Sequence, residues 1–214
     1  MPEMLQAESQ TEALLGDLSP LLEQIGSPAG MSALASTSAF PRTRISSLPE
    51  FEQFLSNYTV EVLARVDIPV IEDAYRMTSS NQLRELIASD RLLAENSHVK
   101  HFASASRKSG QAQLLRLRPL KDNRFVQRYL DAVERGEANG WHTIAYGVNL
   151  AVYSLPLRQG LHGYTSQITQ SFIRSASRDL RLKDTAFTEI QKSAQARLNS
   201  IVESLLTSRT PALS

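Results

Sequence analysis

Residues 51–77 read FEQFLSNYTVEVLARVDIPVIEDAYRM. Phe51, Phe54, Leu55, Tyr58, Val62 and Val66 recur three and four positions apart, which gathers them on one face of an α-helix. Ser47 stands where an N-cap belongs, and Pro49 falls close to the first turn, where its missing N–H does no harm. The triplet Asp67-Ile68-Pro69 predicts an interruption, because proline cannot continue the backbone ladder. PVIEDAYRM then predicts a restart with Pro69 near the first helical position.

The same three-and-four spacing runs through most of the chain. On the amino-terminal side, TEALLGDLSPLLEQI is helical with a break or fresh start at Ser19-Pro20. The small-residue run GSPAGMSALASTSAF is neither a buried strand nor a periodic helix, and residues 41–47 read as a loop. Downstream, a helix over residues 80–94 carries Leu83, Leu86, Ile87 and Leu93. Ser97 is the expected N-cap of HVKHFASASRKSGQAQLLRLRP, in which Val99, Phe102, Ser106, Gly110, Leu114 and Leu117 share a face. That face narrows at Ser106 and Gly110, so another segment can approach closely. Pro119 ends it, and a short helix over residues 123–135 closes at Gly136.

Three helices fill the last third. The first carries Ile144, Gly147, Val148 and Ala151. A long one follows Ser154 and Pro156 with Leu157, Leu161, Tyr164, Ile168, Phe172 and Ala176. The last carries Phe187, Ile190, Ala194, Ile201 and Leu205. No run alternates as a half-buried strand does, and no 20-to-50-residue repeat marks a solenoid. The predicted architecture is an all-α, irregular single-domain helical bundle over residues 11–206, with polar tails at 1–10 and 207–214.

Composition narrows the function. The chain has 214 residues and no cysteine, which excludes disulfides, thiolate metal sites and cysteine nucleophiles. Its 23 basic and 22 acidic residues give a net charge of +1, without the basic excess of a nucleic-acid binder. No stretch approaches the roughly 20 apolar residues of a membrane span, and the polar amino terminus lacks an apolar signal core. The expectation is a cytoplasmic protein that binds neither nucleic acid nor membrane.

Chemistry-bearing motifs are sparse. GxGxxG, GxxxxGK[ST] and GxSxG are all absent. Glu95, His98 and His101 are the best metal candidates, since Glu and His three apart is a spacing used in di-iron bundles. Those bundles need a second such motif and two more carboxylates, so a solvated helix start is the ordinary reading. His142 and His162 lack a carboxylate at triad or dyad spacing and read as structural. Basic residues gather at Arg107, Lys108, Arg116, Arg118, Lys121, Arg124 and Arg128, and again at Arg174, Arg178, Arg181 and Lys183. Both clusters read as solvated helix faces or as docking surfaces for an acidic partner. Asp179 and Asp184 interrupt the second, which suggests local ion pairs.

Five segments, in order, carry a resemblance: LLEQIGSPAGMSALASTSAF, FEQFLSNYTVEVLARVDIPVIEDAYR, ASASRKSGQAQLLRL, WHTIAYGVNLAVYSLPLRQGLHGYTSQITQSFIRSASRDLRL and LKDTAFTEIQKSAQ. The resemblance spans roughly residues 20–206, and the chain resembles a divergent UreF, the urease accessory protein. It departs from the family in having a single Gly30 in the opening segment and Ser38-Ala39-Phe40 in place of an acidic ending. Before the last helix, only Gln191 corresponds to the family's Gly-Gln.

The resemblance implies an all-helical, non-catalytic scaffold that forms a homodimer and needs no cofactor. It implies binding to a UreD/UreH-like accessory protein and, through it, a UreG-like GTPase, to assist nickel delivery to apo-urease. The expected contact residues are Arg107, Lys108, Arg174, Arg178, Arg181, Asp184 and Gln191. Two alternatives stay open: an assembly chaperone of this fold serving a different client enzyme, and a helical metal- or ligand-binding enzyme around Glu95, His98 and His101.

Overall fold

The computed structural model describes residues 15–26, 45–100, 102–180 and 184–209, and among these every regular element is helical. After a short 3-10 turn at Gly16–Leu18 come α1 (Ser19–Gly26), α2 (Leu48–Tyr58), α3 (Ile68–Ser79), α4 (Leu83–Leu93), α5 (Ser97–Lys100) and α6 (Ala103–Leu115). They are followed by α7 (Arg124–Glu134), α8 (His142–Val152), α9 (Leu157–Leu180) and α10 (Asp184–Arg209). The small-residue run at residues 27–40, the amino-terminal tail and the last five residues lie outside the described set.

The expected interruption at Asp67-Ile68-Pro69 is not a break. The segment Thr59–Asp67 continues α2 into α3 as a π-helix, with Ile68 N–H donating to Leu63 O five residues back. Pro69 supplies the reason. In an α-helical register its ring would crowd the carbonyl four residues earlier, and a wider turn relieves that clash without ending the rod. At the start of the wide segment, Thr59 Oγ1 donates to Leu55 O at 2.7 Å.

The amino-terminal signals act slightly differently from expectation. Ser47 adopts the extended cap conformation, but Glu50 reaches back to accept from both Ser46 N–H (2.7 Å) and Ser46 Oγ (3.0 Å). At α5 the cap is Asn96, whose Oδ1 accepts from His98 N–H at 2.9 Å, and Ser97 is already helical. Asn123 caps α7 by accepting from Val126 N–H at 3.1 Å, and Gly136 just past its end takes φ +73°.

The centre of the molecule is α8. Every residue from His142 through Leu150 is buried, so this helix meets neighbours all round. Gly147 makes its seat on α3 possible, since a Cβ there would lie 2.5 Å from Ile71 O and 2.8 Å from Ala74 Cβ. Two apolar clusters form around it. One joins α1, α2, the π-helix, α9 and α10 through Leu22, Phe51, Leu63, Ile168, Phe172 and Leu198. The other joins α4, α6, α7 and the outer side of α8 through Leu86, Leu114, Val126, Tyr129, Trp141 and Ile144.

Side chains from three helices dock α1. Gln167 Nε2 donates to Leu22 O at 3.0 Å, Gln113 Nε2 to Gly26 O at 3.2 Å, and His142 Nε2 lies 3.3 Å from the same Gly26 oxygen. These contacts seat α1 against α6, α8 and α9, and two of them meet the Gly26 carbonyl in its last described turn. No described helix is long and apolar enough to cross a membrane.

Candidate functional site

Three polar networks stand out among the described residues of the interior. The first sits at the end of the π-helix. Asp67 is buried there and accepts from Tyr164 Oη at 2.9 Å, with the Tyr58 hydroxyl as a second partner. Burial pushes the Asp67 carboxyl up to about 7, against the two tyrosine hydrogen bonds, which pull it down. His142 is neutral for the opposite reason. Burial lowers its pKa to about 4, and the Gly26 carbonyl opposes this only in part. Its Nδ1 has no partner among the protein atoms. A cavity of about 30 Å³ lies among Asp67, His98, Ser106, His142 and Tyr164, large enough for one water molecule and no larger ligand.

The second network is built on Asp90. Its carboxylate accepts from Tyr129 Oη at 2.7 Å, from Gly140 N–H at 2.9 Å and from Asn139 N–H. Its backbone carbonyl accepts from Trp141 Nε1 at 2.8 Å. One aspartate therefore shapes the turn that leads into α8. That turn is also where Gly110 matters, because a Cβ on it would lie 2.2 Å from Gly140 O. Ser106 completes the seat by accepting from His142 N–H at 3.2 Å.

The third network ties α10 to α9. His162 places Nδ1 3.1 Å from Asn199 Oδ1 and Nε2 2.7 Å from Glu203 Oε1. Arg158 Nε donates to the same Glu203 oxygen at 2.8 Å, and this bond, ahead of the one from His162, holds the Glu203 carboxyl below its usual value. Each network ties elements together: the π-helix to α9, α4 to the turn before α8, and α9 to α10.

The metal candidates do not come together. Glu95 is exposed in the turn after α4, His98 is half-buried on α5 beyond the Asn96 cap, and His101 lies outside the described residues. The cap starts a new helix between Glu95 and His98, so the two do not share a helical face. Among the described residues, no three His, Cys, Asp or Glu side chains gather as a metal would require.

The surface candidates are solvent-facing where they are described. Arg107 and Lys108 are exposed on α6, Arg174 is exposed on α9, and Gln191 is half-buried on α10. Arg178 belongs to α9 and Asp184 opens α10, with side chains outside the described set, while Arg181 lies outside it altogether. The ion pairs expected from Asp179 and Asp184 fall on the same side chains. The Arg107 guanidinium rests 5.7 Å from the centre of the Trp141 ring, which holds it against the surface.

A sequence model of the UreF family matches residues 45–195. The chain belongs to the UreF family. The chain is also 21% identical over 138 residues to the urease accessory protein UreF of Sporosarcina pasteurii, covering 64% of this chain and 68% of that one. The family is one of accessory proteins and not of enzymes. In this UreF family member the matched span contains every expected contact residue from Arg107 to Gln191. It leaves out the divergent opening segment around Gly30.

Asp67 and Asp90 are the residues that reading the sequence missed. The signal was present in both cases. Asp90 falls on the face of Leu86 and Leu93, and Asp67 on the face of Leu63 and Ile71, so each places a carboxylate on an apolar stripe.

Proposed function

We propose that this chain is a non-catalytic urease accessory protein that brings other accessory proteins together on its surface. The family match over residues 45–195 carries this reading, and the likeness to the urease accessory protein UreF of Sporosarcina pasteurii supports it. Its partners are a UreD/UreH-like protein and a UreG-like GTPase, and its client is apo-urease, to which the assembly helps deliver nickel. It works in the cytoplasm as a homodimer. The faces proposed for contact are the Arg107–Lys108 region and the stretch from Arg174 to Gln191.

Deleting the gene in its native host tests the role. Urease subunits are then expected to accumulate with little nickel and little activity, and both recover when the gene is returned. Urease that stays nickel-loaded and active after deletion contradicts the reading. Exchanging Arg174 and Arg178 for glutamate tests the second face, with weaker capture of an accessory partner as the expected result.

A second reading, a chaperone of this fold for another client enzyme, is favoured by one observation. The family match begins at residue 45 and omits the divergent opening segment. A reproducible client other than urease, together with unaffected urease, would establish it.

A further inference from the structure

One helix face is exposed over its whole length and carries charge of one sign. Ser104, Arg107, Lys108, Gln111, Ala112 and Leu115 are spaced as a single face of α6, all are exposed, and together they line one shallow surface groove. The opposite face of the helix, with Ser106, Gly110 and Leu114, is buried. Leu115 keeps 51% of its surface open at the end of the exposed row.

The charge around this face is lopsided. Residues 96–121 contain Lys100, Arg107, Lys108, Arg116, Arg118 and Lys121 and not one aspartate or glutamate, in a chain whose net charge is only +1. Of these six, only Arg118 makes an ion pair with a described carboxylate, that of Glu134. Arg107 spends Nε on Ala103 O of its own helix and stacks on Trp141, so its cationic head is held in place. A fixed cation, a second beside it, and an exposed leucine about two turns along form a mixed surface.

We propose that this face of α6 docks an acidic amphipathic helix of a partner protein. Carboxylates of that helix sit over Arg107 and Lys108, and an apolar side chain seven or eight residues away covers Leu115. Seven or eight residues is two helical turns, which matches the separation along α6. A phosphate backbone would also answer the cations. It would have no use for Leu115, and the face offers no aromatic ring on which bases could stack. The proposal rests on reading the chain as a protein that acts by contact, and it names the chemistry of one contact.

The test titrates the full chain with two labelled 18-residue helical peptides of identical Glu and Leu composition. One places glutamates and leucines along a single face, and the other is scrambled so that no face forms. The amphipathic peptide is expected to bind at least tenfold tighter than the scramble. That affinity is expected to fall at least tenfold in Arg107→Glu/Lys108→Glu and several-fold in Leu115→Ser. Lys108→Glu alone guards against a loss that comes only from disturbing the Arg107–Trp141 contact, and it is expected to show part of the effect.

Equal binding of the two peptides, or indifference to these variants, overturns the proposal. So does an 18-nucleotide single strand that binds tighter than either peptide and ignores Leu115→Ser, or sedimentation showing that the double variant only dissociates a homo-oligomer. The same variants are titrated with purified UreD-like and UreG-like proteins. If wild-type chain binds a partner and the α6 variants bind it equally, the inference fails while the accessory role stands. If wild-type chain binds neither partner but the peptide result holds, the accessory role fails and the α6 site stands.

Discussion

Asp67 and His142 are both buried and both held neutral, and their effects on stability oppose each other. The Asp67 carboxyl, raised to about 7 from 3.8, stays protonated in the folded chain where the unfolded chain has lost the proton. Its contribution is therefore full below about pH 4 and is lost as pH rises toward 7. His142, lowered to about 4 from 6.5, is neutral when folded and protonated when unfolded in the same range. Its contribution is full above about pH 6.5 and is lost as pH falls toward 4. Between those limits folding takes up one proton at Asp67 and releases one at His142, so the pair adds almost no slope. Urea melts across pH 4.5–6.5 check this. Relative to wild type, Asp67→Asn is expected to gain stability with rising pH, and His142→Gln to lose it, each by up to about 1.4 kcal/mol per pH unit. Parallel curves for all three proteins would refute the compensation. Asp90 acts without such balance. Asp90→Ala strips the Gly140 and Asn139 amides and the Tyr129 hydroxyl of their shared acceptor, and a loss of about 3 kcal/mol in the same melts is expected.

Helix packing gives a sharper distinction than composition alone. Gly147 lies in the middle of the buried α8 and Gly136 just past the end of the amphipathic α7, and their surroundings differ accordingly. Gly136 has a positive φ and open space around it, so Gly136→Ala costs only backbone strain, about 1 kcal/mol. Gly147 presses against the backbone of α3, so Gly147→Ala forces α8 away from its central seat and is expected to cost about 3 kcal/mol. Thermal melts of the two variants test the ordering. The helices themselves were legible because three-and-four spacing is strong in α2, α7 and α9. The join at Asp67-Ile68-Pro69 was not. A proline signals a lost hydrogen bond, but whether the chain breaks or widens depends on tertiary contacts such as the one from Tyr164 to Asp67, 97 residues away. The cap at Asn96 was hidden for a local reason, since Ser97 beside it is an equally good capping residue.

Across the described residues, the buried carboxylates of Asp67 and Asp90 tie helices together, while the basic clusters lie at the surface. Its near-neutral total charge conceals an acid-free stretch at residues 96–121, which becomes informative only when α6 is seen to expose one face of it. Arg107 and Lys108 could be picked from the sequence as a basic pair. The spacing also placed Ser106, Gly110 and Leu114 on the covered face, as the structure shows; that Leu115 stays open beside the cations was not legible, because it depends on which neighbours pack around the end of α6. The UreF resemblance was legible through the order of its segments, and the family match over residues 45–195 covers all of them but the opening one. The central claim is that this surface assembles urease accessory proteins. The most direct measurement is co-expression with the UreD-like and UreG-like proteins of the same organism, followed by size-exclusion chromatography with mass determination. The chain is expected to elute in a common complex with at least the UreD-like protein, and that complex is expected to weaken at high salt. Elution of the chain by itself at every salt concentration, with both accessory proteins folded and present, would contradict it.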